Sequence, residues 1–250
     1  MTAPSLVESF SNYFRIVVAD SPALRDQVYR IRYQVYCKEM RTEREEQFPD
    51  GLESDIFDKF AAHCLLQHRN SGLYAGCVRL VYGGPADSPY LPFEVYCRDS
   101  IYPAVVEHVL SRRGSFGEIS RLAVPAEFRR RKGEQGSPIP MQFEEQPAHN
   151  AEERRHQTSY ITMGLFLAAA AMGLIRGMNG VFAMMEPRLS RYLRQFGLEF
   201  EPAGKEVEYH GRRAAFYITK EGLKLNGDMA ALLDFITSEI KAQLSSDSRR

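Results

Sequence analysis

Residues 116–124, Phe-Gly-Glu-Ile-Ser-Arg-Leu-Ala-Val, place the carboxylate of Glu118 and the guanidinium of Arg121 in a run that otherwise reads as a core strand. Taking an ion out of water is costly unless a partner is supplied. Upstream, Arg32, Asp55 with Asp58, and Arg79 stand in comparably apolar or aromatic settings, so these six residues are expected to meet in one buried ionic site. Two roles fit Glu118. As a general base it removes the proton of an ammonium, directly or through a water, so that the amine can attack an activated acyl group, and apolar surroundings raise its proton affinity for that work. As a structural residue it pairs with Arg32, Arg79 or Arg121. The three cations and three anions balance, a set able to satisfy itself without a substrate.

No covalent nucleophile stands out. Cys37, Cys64, Cys77 and Cys97 form no CxxC pair and have no nearby histidine at metal-ligand spacing, which predicts reduced core thiols and no metal site. With no serine or cysteine beside a histidine in a recognisable nucleophile setting, direct attack is favoured over an acyl-enzyme.

The elements that must position these groups follow from periodicity. Residues 14–19 are a β-branched run and a first strand. Ser21-Pro22 then caps a helix whose stripe is Leu24, Val28, Ile31 and Val35, with Arg32 and Tyr36 together on an adjoining face. The polar stretch 39–58, with its Pro49-Asp50-Gly51 turn signature, reads as a loop over one end of a sheet. Residues 62–68 and 74–82 read as an antiparallel hairpin that puts Cys77, Arg79 and Val81 on one face. A helix over 101–112 and a central strand over 116–124 come next, then a polar, proline-bearing segment over 125–157. A long helix over 158–178, a strand over 180–185, a helix over 188–196, a closing hairpin ending in 213–219 and an amphipathic helix over 226–244 complete the chain. Regular alternation would put Glu118 and Arg121 on opposite faces, so a bulge between them is expected.

The chain has 250 residues and is 44% hydrophobic, which suits one elaborated α/β domain over 1–250 with a core about 14–219. Lysine plus arginine equals aspartate plus glutamate at 32 each, so the balance does not suggest a nucleic-acid partner. The longest apolar run, 163–175, falls short of the roughly 20 residues that span a bilayer, and residues 1–14 lack the apolar run of a signal peptide. A cytoplasmic protein without a transmembrane segment is expected.

The order of these elements resembles the GCN5-related N-acetyltransferase (GNAT) fold over most of 14–219. Arg32-Tyr33-Gln34-Val35-Tyr36, Glu53-Ser54-Asp55-Ile56-Phe57-Asp58, Gly76-Cys77-Val78-Arg79-Leu80 and Glu118-Ile119-Ser120-Arg121 resemble, in order, the motifs of the acyl-homoserine-lactone autoinducer synthases. They are still more similar to those of the long-chain N-acyl amino acid synthases and of the acyltransferases associated with the PEP-CTERM/exosortase system. The resemblance implies a mixed, mostly antiparallel central sheet flanked by helices, with the helix over 226–244 as an addition. It also implies transfer of a fatty acyl group from acyl carrier protein to the amine of a small acceptor such as an amino acid.

By the same resemblance Glu118 and Arg121 are catalytic, while Arg32, Tyr36, Asp55, Asp58, Arg79 and Ser120 organise the acceptor. The backbone of Leu122, Ala123 and Val124 would bond the pantetheine arm of the donor at a bulged, diverging central strand. No tightly bound cofactor is expected beyond the acyl-phosphopantetheine of the carrier, or acyl-CoA, as donor. The sequence departs from the acetyltransferase pattern after Val124, where Arg129, Arg130, Arg131 and Lys132 precede the lone Gly133 instead of closely spaced glycines. Side chains there obstruct a pyrophosphate, and the cations suit an acidic carrier surface or the phosphate of its arm; a solvated charge run is the alternative.

Tyr192 invites a role as acid for the departing thiolate, yet Leu193 holds the expected position four residues before Gly197, so Tyr192 reads as a packing residue. Glu208-Tyr209-His210-Gly211-Arg212-Arg213 reads as a turn of the last hairpin that is expected to border the acceptor pocket, with His210 more often a surface histidine than a catalytic one. Met163, Phe166, Leu167, Met172, Leu174, Phe182, Met184 and Met185 either line an acyl tunnel or are ordinary core. An acetyl-CoA-dependent acetyltransferase, an acyl-homoserine-lactone synthase and a non-catalytic binder of acyl carrier or acyl amino acid remain as alternatives, and 133–157 is an unmatched insert.

Overall fold

The computed structural model describes residues 4–82, 90–107, 114–129 and 151–247, and among these the side chains of 151–159 and of 247 are not described. Apolar alternation gives the strands β1 (Phe14–Val18), β2 (Ala61–His68), β3 (Tyr74–Val81), β4 (Phe116–Ala123), β5 (Gly180–Met185), β6 (Glu201–Pro202), β7 (Val207–Glu208) and β8 (Arg212–Thr219). They pair in the order β1-β2-β3-β4-β5-β8-β6, with β7 on β8. Every pairing is antiparallel except β4 with β5. Parallel neighbours need a long crossover, and the helix α5 (Ala151–Ile175) lies on that connection.

The remaining helices are α1 (Leu6–Tyr13), α2 (Pro22–Arg32), α3 (Pro92–Tyr96), α4 (Pro103–Val105), α6 (Pro187–Arg194) and α7 (Gly227–Asp247). Ser21 caps α2, its hydroxyl accepting from the Leu24 N–H, and Pro22 opens it, as the sequence indicates. A π-helical turn, Tyr33–Glu39, prolongs α2 and carries Tyr36. The expected loop over 39–58 contains two short 3₁₀ turns, Glu45–Gln47 and the beginning of Ile56–Phe60.

Two elements go beyond the expected set. In the range of the helix expected over 101–112, α4 opens at Pro103 and a helical turn continues through Val106 and Glu107, with α3 and a 3₁₀ turn at Arg98–Ser100 ahead of it; residues 108–113 lie outside the described residues. The helix α5 starts at Ala151, not 158, inside the expected insert; the rest of the insert, 133–150, lies outside the described residues. The helix α1 is an addition to the expected elements, although Ser5 and Glu8 form a capping box at its start.

One sheet face carries the main core, in which Phe10 of α1, Leu165 of α5, and Met229, Leu232, Leu233, Ile236 and Ile240 of α7 meet Leu66, Leu80 and Ile119. The other face has two smaller clusters. Val28, Ile31 and Val35 pack on Leu65, Cys77 and Ala123, and Phe57, Phe93 and Val105 pack on Val81, Phe182 and Ala215. Arg79 lies between Cys77 and Val81 on this second face.

Strand β4 is irregular where the site forms. Cys77 is opposite Ala123 and Arg79 is opposite Ser120, so Val78 faces two residues, Arg121 and Leu122. This is a β-bulge, and Arg121 adopts the left-handed φ of 49° that such a step demands. Phe116 before the bulge and Ala123 after it face the second side of the sheet, whereas Ile119 and Leu122 face the main core. The expected bulge is therefore present and falls at Arg121 itself.

Pairing of β4 to β5 runs only from Phe116↔Gly180 to Ile119↔Ala183. Beyond it β4 stays on β3 as far as Ala123 while β5 stays on β8 as far as Met185. The two strands part, leaving a slot between them.

Because Ile236 is fully buried where α7 meets the sheet-facing core, the Ile236→Ala change is expected to cost about 2–5 kcal/mol of unfolding free energy. Urea denaturation checks this, and a loss below about 0.5 kcal/mol would show that α7 is peripheral.

Candidate active site

A cleft opens at the divergence of β4 and β5, lined by Glu118, Ser120 and Arg121 of β4 and Met184 of β5. The π-helical turn brings Tyr36 to its wall, where the hydroxyl donates to the Leu122 carbonyl at 2.9 Å and the ring lies under Arg121, 5.6 Å from centroid to guanidinium carbon. The Leu122 carbonyl is thereby occupied by a side chain.

The charged residues converge as expected, except that Glu118 stays outside the ion pairs and Glu53 and Glu43 join them. Arg32 bonds Glu53 through Nε and Asp58 through Nη1, the latter at 2.7 Å. Arg79 reaches Asp55 at 2.6 Å and Asp58 at 2.9 Å through Nη1, and its Nε donates to Ser120 Oγ at 3.0 Å. Arg121 holds Glu53 at 3.1 Å, Glu43 at 3.3 Å and Asp55 at 3.4 Å. Asp55 also caps the 3₁₀ turn, and Asp58 accepts the Asp55 N–H at 2.7 Å, so one turn of chain orients both carboxylates. Burial alone would push these acids up, but the arginines outweigh it. Asp58 is held well below the usual carboxylate range by Arg32 and Arg79, and Glu53 is lowered by Arg32 and Arg121.

Glu118 stands apart, which corrects the expected three-against-three set. The three arginines are met by four carboxylates, Asp55, Asp58, Glu43 and the fully buried Glu53. Among the described residues Glu118 has no ion pair, and its Oε2 accepts the Phe93 N–H at 2.9 Å. Burial pushes its carboxyl up to about 8 against the pull of that N–H and of Arg79 and Arg121. A carboxyl poised near neutrality in a cleft is suited to proton transfer. The sequence showed Glu53 within its motif but gave no sign of burial, since the surrounding stretch is polar and aperiodic.

Other assignments sort themselves by position. Tyr209, His210, Arg213 and Met184 line the cleft, in keeping with the expected placement of the last hairpin turn. Tyr192 is buried in the main core and packs against Phe196 at 4.9 Å, as its register indicates. Met163, Phe166, Leu167, Met172 and Met185 belong to that core, Leu174 packs against it, and Phe182 is buried in the smaller cluster on the other face. The side chains of Leu122, Ala123 and Val124 are buried. Arg129 is mostly buried and paired with Glu39, whose carboxylate also accepts the Ala126 N–H at 3.2 Å, so it is no solvated cation. Arg130, Arg131, Lys132 and Gly133 lie outside the described residues. All four cysteines are buried, and burial raises Cys64 and Cys77 to about 12.

The Glu118 carboxyl titrates near 8 when folded and near 4.3 when unfolded. Between those values the folded chain holds the extra proton, so the Glu118 contribution to stability is present at low pH and is lost as pH rises to 8. The Glu118→Gln variant lacks this dependence, so its stability relative to the parent is expected to increase steadily from pH 5 to pH 8. Urea melts at three pH values check it. His63, lowered to about 4 by burial, titrates alike in both proteins and cancels. A constant difference would mean that Glu118 is ionised throughout.

Comparison with known proteins gives a consistent picture. Residues 31–137 match the acetyltransferase (GNAT) domain model. No curated protein matches the sequence at a significant level. Among solved structures, the TofI ternary complex with an inhibitor and MTA is similar at 19% identity and a TM-score of 0.57, covering 90% of this chain and 99% of TofI. The acyl-homoserine-lactone synthase LasI is similar at 16% identity and 0.55, covering 88% and 94%. BjaI, described as a CoA-dependent acyl-homoserine lactone synthase with SAM and isopentyl-CoA, is similar at 16% and 0.51, covering 90% and 89%. Residues 31–137 are thus similar to the GNAT acetyltransferase domain, and the chain has the fold that these synthases share.

Proposed function

We propose that this chain is an N-acyltransferase that moves a fatty acyl group from acyl carrier protein to the amine of an amino acid or similar small molecule. The observation that carries the reading is the buried, proton-holding Glu118 beside the slot where β4 and β5 part. The slot accepts the extended pantetheine arm, with the backbone of Leu122, Ala123 and Val124 along one side. Glu118 in its ionised form takes the proton of the acceptor ammonium, the amine nitrogen bonds to the thioester carbon, the C–S bond breaks and the thiolate leaves with a proton. The arginine–carboxylate network holds the turn carrying Asp55 and Asp58 against the cleft, with Arg121 and Ser120 at the reacting end.

Carrier protein is preferred to coenzyme A because the loop after β4 spends its Ala126 N–H and its Arg129 guanidinium on Glu39. Those donors meet an internal carboxylate instead of a phosphate. The buried thiols, raised to about 12 for Cys64 and Cys77, support direct attack over an acyl-cysteine. No helix among the described residues is long and apolar enough to cross a membrane, and a cytoplasmic setting belongs to this reading. The fold shared with LasI and BjaI favours a second reading in which S-adenosylmethionine is the acceptor and acyl-CoA an accepted donor.

Purified protein is to be offered acylated carrier protein or acyl-CoA together with amino acids or S-adenosylmethionine, and the products identified by mass spectrometry. An N-acyl amino acid formed faster from the carrier is the expected result, with kcat falling about 10²–10⁴-fold in Glu118→Gln. The rate should climb with pH as Glu118 ionises, from about a tenth ionised at pH 7 to a plateau above its value near 8. Full activity in Glu118→Gln removes Glu118 as base, and absence of any acylated amine defeats the proposed reaction.

A further inference from the structure

The cleft holds three arginines, and two of them are already neutralised. Arg79 is matched by Asp55 and Asp58, and Arg121 by Glu53, Glu43 and Asp55. Arg213 is different. Its Nε is buried and has no hydrogen-bond partner among the described residues. A desolvated donor left unmet is a standing penalty that an arriving acceptor removes.

The sheet register aims Arg213 at the chemistry. Glu118 is opposite Phe182, Phe182 is opposite Tyr217 and Met184 is opposite Ala215. Side chains two apart share a face, so Arg213, Ala215 and Tyr217 on β8 point to the same side of the sheet as Glu118 on β4. Arg213 and Glu118 line the same cleft, and the Arg213 charge is felt there by Tyr36 and His210. The cleft thus pairs a proton-transferring carboxyl with a guanidinium whose Nε is unmet among the described residues.

We propose that Arg213 recognises the α-carboxylate of the acceptor, which makes the acceptor an α-amino acid and not a simple amine. The proposal rests on the amine-acylating reading above and adds the acceptor class and the residue that selects it. A guanidinium fork matches a carboxylate with two parallel N–H···O bonds. In an α-amino acid one carbon joins carboxylate and amine, so fixing the first orients the second for attack. Free amino acids and S-adenosylmethionine share this group.

The test compares each acid with the amine it becomes on losing CO₂: leucine with isopentylamine, phenylalanine with phenethylamine, and tyrosine with tyramine. S-adenosylmethionine forms a separate arm. In the parent enzyme kcat/KM for the acid should exceed that for its amine by about 30-fold or more, and in Arg213→Met the ratio should collapse towards 1, with Arg213→Lys between. The loss should fall on the acceptor KM and not on the donor KM. Equal use of acid and amine by the parent, an unchanged ratio in Arg213→Met, or a loss confined to the donor KM would overturn the proposal. A preference shown by S-adenosylmethionine alone upholds it and names the source. If no amine is acylated, the proposed reaction fails while calorimetric titration of the same acids into parent and Arg213→Met still decides the inference. Binding weakened in the variant supports it, and equal or absent binding refutes it. Should Arg213→Met fail to fold, as its thermal melt would show, the acid-to-amine ratios of the parent and of Arg213→Lys decide instead: a lower ratio in Arg213→Lys supports the proposal and an equal one refutes it.

Discussion

Burying charge against an apolar sheet is the constraint on which the site depends. Arg32, Arg79 and Glu53 are almost completely removed from solvent, and each isolated would cost more than the fold could bear. The chain meets the constraint by cross-linking them: Asp58 joins Arg32 to Arg79, Glu53 joins Arg32 to Arg121, and Asp55 joins Arg79 to Arg121. Every link ties a different segment, so the network is also what holds α2, the 3₁₀ turn, β3 and β4 in one arrangement. Glu118 lies at its border, outside the exchange of charge, and responds by keeping its proton.

The bulge at Arg121 makes this compatible with a sheet. A regular β4 would send Arg121 into the main core beside Ile119, whose buried cluster among the described residues is apolar. The left-handed step at Arg121 turns it to the second face beside Ser120. The strain of a non-glycine residue at that φ, of the order of 1 kcal/mol, is offset by three carboxylate contacts. The same irregularity ends pairing with β5, so one local feature gathers the charges and opens the slot.

The sequence makes some of this legible and hides the rest for physical reasons. The hairpin β2–β3, the placement of Arg79 and the cap of α2 follow from alternation and from Ser21-Pro22, which act over a few residues. The convergence of Arg32, Asp55, Asp58, Arg79 and Arg121 is inferable because each is a charge in an apolar or aromatic context. Glu53 is not, because its burial comes from distant partners and its neighbours are polar. The early turns of α5 escape notice because the first residues after Ala151 are charged and offer no apolar stripe. Arg213 is placed by the sequence only in a turn beside the acceptor pocket, since the lack of a partner for its Nε among the described residues depends on distant segments.

The central claim is that Glu118 is a protonated carboxyl at neutral pH, held so by its surroundings. Carbon-13 NMR of glutamate-labelled protein reads this directly, with the Glu118 signal assigned by its loss in Glu118→Gln. A side-chain carboxyl resonance titrating near pH 8 is the predicted result. A signal that titrates near 4, as an ordinary exposed glutamate does, would contradict the account.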